Sequence, residues 1–177
     1  VSREYFQKIT SAAERIKFMI QFTCDYENIG ARAPVWQDCC TLVDRVAKEA
    51  PLGTIRVRNE IPAGTEVYAY PLVAKVIYNL MDNAVRYGRN ISTIRFSVED
   101  PGGYYRIVCE DDGPGVPAYE KELIFARNYG KNTGLGLALS KEILAITGIS
   151  IRETGEPGKG ARFEMSVPAG ACRLIKK

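Results

Sequence analysis

The sequence predicts an α/β protein: a two-layer sandwich of a mixed sheet with helices on one face, preceded by a long N-terminal helix. Three observations carry that expectation. Segments with apolar residues every three or four positions interleave with short segments in which apolar residues alternate. Proline and glycine mark most of the boundaries between them. The chain is 177 residues long, enough for one ordinary domain with an appendage.

From Ser2 to about Asn28 there is no proline or glycine, and Phe6, Ile9, Ala13, Ile16, Ile20 and Thr23 recur at spacings of three and four. Met19 and Tyr26 lie beside them. So narrow an apolar seam suits a helix that packs on another helix, because alone it would be marginal in water. Ile29 to Pro34 break the pattern and read as a linker. A second helix is expected from about Gln37 to Glu49, burying Cys40, Val43, Val46 and Ala47 and stopping before Pro51.

Residues 54–59 alternate Ile55 and Val57 with Arg56 and Arg58, the pattern of a half-buried strand, and Glu66 to Tyr70 form a short extended piece. Pro71 opens a helix that ends at Gly88. Ile94, Phe96 and Val98, then Tyr105, Ile107 and Cys109, flank a turn at residues 100–103 and read as a β-hairpin. A short helical patch is expected around residues 119–125 and a helix over 137–147. A last hairpin joins 149–153 to 161–167.

Composition excludes several classes of function. A net charge of +3 is too small to argue for a nucleic-acid surface. No apolar run approaches the roughly 20 residues that cross a bilayer, and no leader is visible. The expected location is the cytoplasm, with no direct membrane contact in this chain and membrane attachment of a longer parent protein left open. The five cysteines show no C-x-x-C spacing and the chain has no histidine. Zinc sites and Ser–His or Cys–His nucleophiles are therefore disfavoured or excluded, and the cysteines read as small reduced core residues.

Three short motifs carry the chemistry: Asn79-Leu-Met-Asp-Asn83-Ala-Val-Arg86-Tyr87, Asp111-Asp-Gly113-Pro-Gly115 and Thr133-Gly134-Leu135-Gly136-Leu137-Ala138-Leu139-Ser140. On the helix from Pro71 the apolar stripe is Val73, Val76, Ile77, Leu80 and Ala84; the opposite stripe holds Lys75, Asn79, Asp82, Asn83 and Arg86. Asn79 and Asn83 are one turn apart on one face. They read either as a solvated polar face or as amide oxygens that hold Mg²⁺ together with nucleotide phosphates. Asp111 ahead of two glycines is either an ordinary turn or a carboxylate that accepts the amino hydrogen of adenine. The loop Gly134-Leu135-Gly136 opens a helix and suits a phosphate. It lacks the upstream glycine of a Walker loop, and Leu139 stands where a dinucleotide fingerprint needs its third glycine. Each motif is ambiguous alone; in this order they describe an ATP site.

Those residues resemble the ATP-binding catalytic domain of two-component sensor histidine kinases, within the GHKL ATPase superfamily, over about Val35 to Pro168. Asn79 to Tyr87 is similar to the N box, Asp111 to Gly115 to the G1 box and Gly134 to Leu137 to the G2 box. Phe125 is similar to the F box, and Gly158-Lys159-Gly160 to a later glycine turn. The resemblance implies a Bergerat-type fold. It implies ATP and Mg²⁺ as cofactors, with Asn83 as metal ligand beside Asn79. Arg86 is implied to meet phosphate, Tyr87 to border the nucleotide and Asp111 to read adenine. Gly113, Gly115, Phe125, Lys131, Thr133, Gly134, Leu135, Gly136 and Leu137 are implied to line the pocket, under a lid from Val116 to Thr133.

By the same resemblance, residues 1–30 correspond to the second helix of a dimerisation and phosphoacceptor hairpin, 31–36 to a linker and 37–177 to the catalytic domain. The implied activity is transfer of the γ-phosphoryl group to a histidine upstream of this chain, for relay to a response-regulator receiver aspartate. The implied assembly is a homodimer through the first helix. Without a histidine the fragment is not expected to phosphorylate itself. Two departures bear on the chemistry. Ala161 replaces the threonine that usually continues the glycine turn. Asn79 stands where hydrolysing relatives carry a glutamate, and an amide cannot act as a base, so transfer with little hydrolysis is expected. Two alternatives stay open: a serine protein kinase of the anti-sigma-factor type, and a non-catalytic dimerising module that senses ATP.

Overall fold

The computed structural model describes residues 2–127, 129 and 134–175. In chain order the elements are α1 (Ser2–Glu27), β1 (Val35–Asp38), α2 (Cys39–Glu49), β2 (Arg56–Asn59), β3 (Thr65–Ala69), α3 (Val73–Tyr87), β4 (Thr93–Glu99), β5 (Tyr105–Asp111), single 3-10 turns at Ala118–Glu120 and Leu123–Phe125, α4 (Gly136–Ala145), β6 (Ser150–Glu153), β7 (Arg162–Val167) and β8 (Cys172–Leu174). The expected α/β sandwich is present, with its strands divided between two sheets. A five-stranded sheet has the order β2-β4-β5-β7-β6, and a three-stranded sheet has the order β1-β3-β8. In the larger sheet β2 runs parallel to β4 and every other pairing is antiparallel, so it is mixed.

One face of the larger sheet is apolar because its strands alternate. Ile94, Phe96, Ile107, Cys109, Phe163, Met165 and Val167 turn inward onto Val76, Ile77, Leu80, Leu139, Ile143 and Leu144 of α3 and α4. Each aliphatic or aromatic side chain removed from water there contributes about 1.5–3 kcal/mol. Cys39, Cys109 and Cys172 belong to this core, and burial pushes the Cys39 thiol up to about 12, so it is inert at neutral pH.

The outer face of the same strands carries an ion-pair lattice. Arg162 reaches Glu99 at 2.7 Å, Glu110 at 2.6 Å and Glu164 at 2.8 Å, while Arg95 pairs with Glu110 and Arg106 with Glu164. Burial alone would raise the carboxyls of Glu110 and Glu164, but hydrogen bonds from Arg162, joined by Arg95 at Glu110, hold both below their ordinary value of 4.5. Groups lowered on folding stabilise the protein above that value, and the stabilisation is lost as pH falls through the lowered ones. Arg162→Leu leaves the carboxylates with their burial and fewer partners. Its acid-unfolding midpoint, followed by Trp36 fluorescence, is therefore expected to move to higher pH; an unchanged midpoint would remove the lattice from the stability account.

Two strands and one helix face differ from the sequence expectation. Residues 35–38 form β1 where linker and helix start were expected, because they pair with β3 through Trp36↔Tyr68 and Gln37↔Val67. Strand β8 was not foreseen and closes the other side of β3. Helix α2 buries Cys39 and Leu42 with Val43 and Val46, leaving Cys40 and Ala47 only half-buried. Asp38 sets that register as its N-cap, accepting the Thr41 N–H at 2.7 Å.

Along helix α1, Phe6, Ile9, Ile16 and Ile20 are exposed. Its C-terminal end is tied to the sandwich. The buried Tyr70 hydroxyl donates to the Asn28 carbonyl at 2.5 Å, and Lys75 of α3 lies 3.5 Å from Asp25. Among the described residues no helix is long and apolar enough to cross a membrane.

Candidate nucleotide site

Helix α3 is amphipathic in the sense the sequence predicts. Val73, Val76, Ile77, Leu80 and Ala84 are buried, which turns Asn79, Asn83 and Arg86 toward the sandwich's end. Asn79 is itself 5% exposed, and its amide nitrogen donates to the Gly136 carbonyl at 2.9 Å and to the Ser140 hydroxyl at 3.1 Å. This joins the first motif to the third. Asn83 is different: its Nδ2 is buried with no hydrogen-bond partner among the described residues. A buried donor left unmet costs about 1–3 kcal/mol, so such a group signals a missing acceptor.

Asp111 closes β5, and its backbone and side chain both bond to Ala161, just ahead of β7. The Asp111 N–H donates to the Ala161 carbonyl at 3.0 Å, and Asp111 Oδ1 accepts the N–H groups of Gly113 at 2.9 Å and Ala161 at 3.1 Å. Oδ2 keeps no partner among the described residues. Burial pushes the Asp111 carboxyl above the ordinary aspartate value, against the pull of those two backbone donors. The result is a half-desolvated carboxylate held in one orientation with one oxygen to offer.

Close backbone approach joins the second motif to the first. A Cβ added to Gly113 would stand 2.9 Å from the Gly88 Cα and carbonyl, so the loop after β5 rests on the cap of α3. Gly115 packs in the same way on the Gly160 carbonyl. Three motifs far apart in the chain therefore meet at one end of the sandwich.

The remaining expected residues fall into three groups. Gly134, Leu135, Gly136 and Leu137 lead into α4, whose first turn has no side-chain cap and no acidic residue and so stays open to an anion. Arg86 and Tyr87 lie at the exposed end of α3, with Arg86 held by Asp82 at 2.7 Å. Phe125 is 8% exposed and packs edge-on against Phe163 at 6.3 Å, with Lys141 over its ring, so these contacts anchor the turn Leu123–Phe125 in the core. Lys131 and Thr133 lie outside the described residues.

Three contributors act through contacts that sequence reasoning did not assign to them. Ala161 acts through its backbone, which any residue but proline could supply. Ser140 sits inside a helix 61 residues from Asn79. Lys121 pairs with the buried Glu153 and the Gly155 carbonyl, which ties the segment after the turn Ala118–Glu120 to the last hairpin.

The donors suit Mg²⁺ held jointly with phosphate. Among the described residues, Asn79 and Asn83 offer neutral amide oxygens with no hydrogen-bond partner, and no group of three or more acidic, histidine or cysteine side chains is placed to hold a metal. A metal ion at this end must bring anionic ligands with it.

Comparison with known proteins agrees. The model of the histidine kinase-, DNA gyrase B- and HSP90-like ATPases matches residues 68–171. The alginate biosynthesis sensor protein KinB of Pseudomonas aeruginosa is 33% identical over 144 residues, 73% of this chain and 24% of that protein. The sensor-like histidine kinase SenX3 of Mycolicibacterium smegmatis is 31% identical over 136 residues, 71% of this chain and 35% of that protein. This chain thus spans a quarter to a third of the length of these relatives. The ATP binding domain of PrrB from Mycobacterium tuberculosis superposes with a TM-score of 0.63 at 25% identity, covering 78% of this chain and 98% of that one. The chain belongs to the histidine kinase-, DNA gyrase B- and HSP90-like ATPase family, and within it is similar to the ATP-binding domains of sensor histidine kinases.

Proposed function

We propose that this domain binds Mg²⁺-ATP and delivers its γ-phosphoryl group to a histidine imidazole outside the chain, for relay to an aspartate of a response-regulator receiver domain. The observation that carries the reading is the unmet Asn83 amide beside Asn79, on the helix against which both glycine loops pack. In this reading Asp111 Oδ2 accepts the adenine amino hydrogen, and a charge-assisted bond in such a pocket contributes about 1.5–3 kcal/mol toward choosing adenine. Asn83 and Asn79 supply oxygens to Mg²⁺, and Arg86 lies at the phosphate end. Lys131 and Thr133 belong to the lid, and Gly134 to Leu137 form the cradle. Mg²⁺ held by the Asn83 and Asn79 oxygens would supply charge neutralisation at the transferring phosphate.

The protein's own share is positioning and exclusion of water. Asn79 is a poor base, which favours transfer over hydrolysis. The chain contains no histidine, so the acceptor comes from elsewhere. Residues 1–30 serve in this reading as the second hairpin helix, whose exposed Phe6, Ile9, Ile16 and Ile20 bury themselves in a homodimeric bundle. Residues 31–36 are the linker, although their last two already belong to β1, and 37–177 are the catalytic domain.

Labelled ATP and the histidine-bearing hairpin of a related sensor kinase, supplied in trans, test the reading. Acid-labile phosphate on the hairpin histidine is the expected product. Acid-stable phosphoserine would replace the histidine reading with a serine kinase, and ATP bound without transfer would leave a sensing module.

A further inference from the structure

Resting on the nucleotide reading above, we propose that Ser140 is a positioning residue for the site: its hydroxyl completes a hydrogen-bond clamp that holds Asn79, and with it α3, against the phosphate loop in one amide orientation. Ser140 is wholly buried in α4. Its Oγ donates to the Gly136 carbonyl at 2.8 Å, which uses its only hydrogen. Toward Asn79, 3.1 Å away, it offers lone pairs alone. The Gly136 carbonyl, 2.9 Å from the same amide nitrogen, is likewise an acceptor.

Two acceptors on one side admit a single orientation of the Asn79 amide. Nδ2 is turned toward both acceptors, which lie 2.8 Å from each other, and Oδ1 is the end of the Asn79 amide left for the cleft. A reversed amide would set its oxygen against the Gly136 carbonyl without a hydrogen between them. Helix stability does not explain the serine. Alanine is the better helix former, and back-bonding to the carbonyl four residues earlier slightly weakens a helix. The hydroxyl is explained by the amide it receives.

The first measurement uses the unaltered chain. Side-chain amide NMR is expected to show slowed hydrogen exchange at the Asn79 amide; a freely exchanging amide would overturn the clamp. The second compares nucleotide binding with and without Mg²⁺ in Ser140→Ala, with thermal melting as the check on folding. Affinity for Mg²⁺-ATP is expected to fall about tenfold, and affinity for metal-free ATP by less than about twofold, since adenine recognition lies at the other end of the site. Ser140→Thr, which keeps the hydroxyl, should recover most of the loss. Unchanged Mg²⁺-ATP affinity in folded Ser140→Ala, or equal losses with and without metal, would overturn the proposal. Failure of the unaltered chain to bind Mg²⁺-ATP would instead sink the functional reading, while the NMR signature would still report on the clamp.

Discussion

Asn83→Ala is expected to abolish Mg²⁺-ATP binding while leaving the nucleotide-free protein as stable as before or more so. The two effects have opposite signs because one atom group causes both. In the free protein the Asn83 Nδ2 is buried without a partner, a penalty of about 1–3 kcal/mol that alanine removes. Alanine is also the better helix former, by up to about 0.7 kcal/mol. In the complex, loss of the amide oxygen takes a ligand from a metal that has few from the protein. Mg²⁺ demands near-ideal octahedral geometry and tolerates a missing ligand poorly. A loss of at least about a hundredfold in affinity, roughly 2.8 kcal/mol, is the expectation. Calorimetry with Mg²⁺-ATP and thermal melting without it measure both halves. An unchanged affinity would remove Asn83 from the site, and a large loss of stability would make it a structural residue.

Gly160→Ala is expected to damage the fold and the site together. Gly160 has a φ of +100°, and a Cβ added there would stand 1.9 Å from the Asp111 carbonyl oxygen. No rotamer relieves a clash between a Cβ and a backbone atom, so β5 or the turn before β7 must move. Strain of this kind costs about 3 kcal/mol or more, which corresponds to a fall in melting temperature of about 6–12 °C for a domain of this size. The movement also displaces the Ala161 N–H, which holds Asp111 Oδ1 at 3.1 Å. Gly136 is the informative contrast. An added Cβ there would meet its nearest neighbour, the Asn79 side chain, at 3.6 Å, an ordinary contact. Gly136→Ala should therefore fold normally, and any loss it shows belongs to the nucleotide. Equal stability of Gly160→Ala and the parent chain would refute the steric account.

These expectations divide along the line between local and long-range information. Helix α3 was legible because its period is complete within fifteen residues, and the polar stripe followed from the apolar one. The β4–β5 hairpin was legible from alternation on both sides of Asp100-Pro101-Gly102-Gly103. The order of the three motifs was enough to suggest an ATP site before any geometry was known.

Strands β1 and β8 were not legible, because Val35-Trp36-Gln37-Asp38 does not alternate apolar with polar residues and Cys172–Leu174 is only three residues long. They exist through pairing with β3, about thirty and a hundred residues away in the chain. The division of the strands into two sheets follows from the same distant pairings.

By itself the sequence determined which faces are apolar, where the turns fall and which residue types are available for chemistry. Those properties arise from side-chain period and backbone preference over a few neighbouring residues. Only the tertiary structure decided that Asn79 turns its amide nitrogen toward Gly136 and Ser140, that Ala161 orients Asp111 through its backbone, and that Asn83 is left with a hydrogen to give. Each depends on contacts across 50 to 61 residues, or on the lack of one, and hydrogen bonds at 3 Å are set by how whole helices and strands pack.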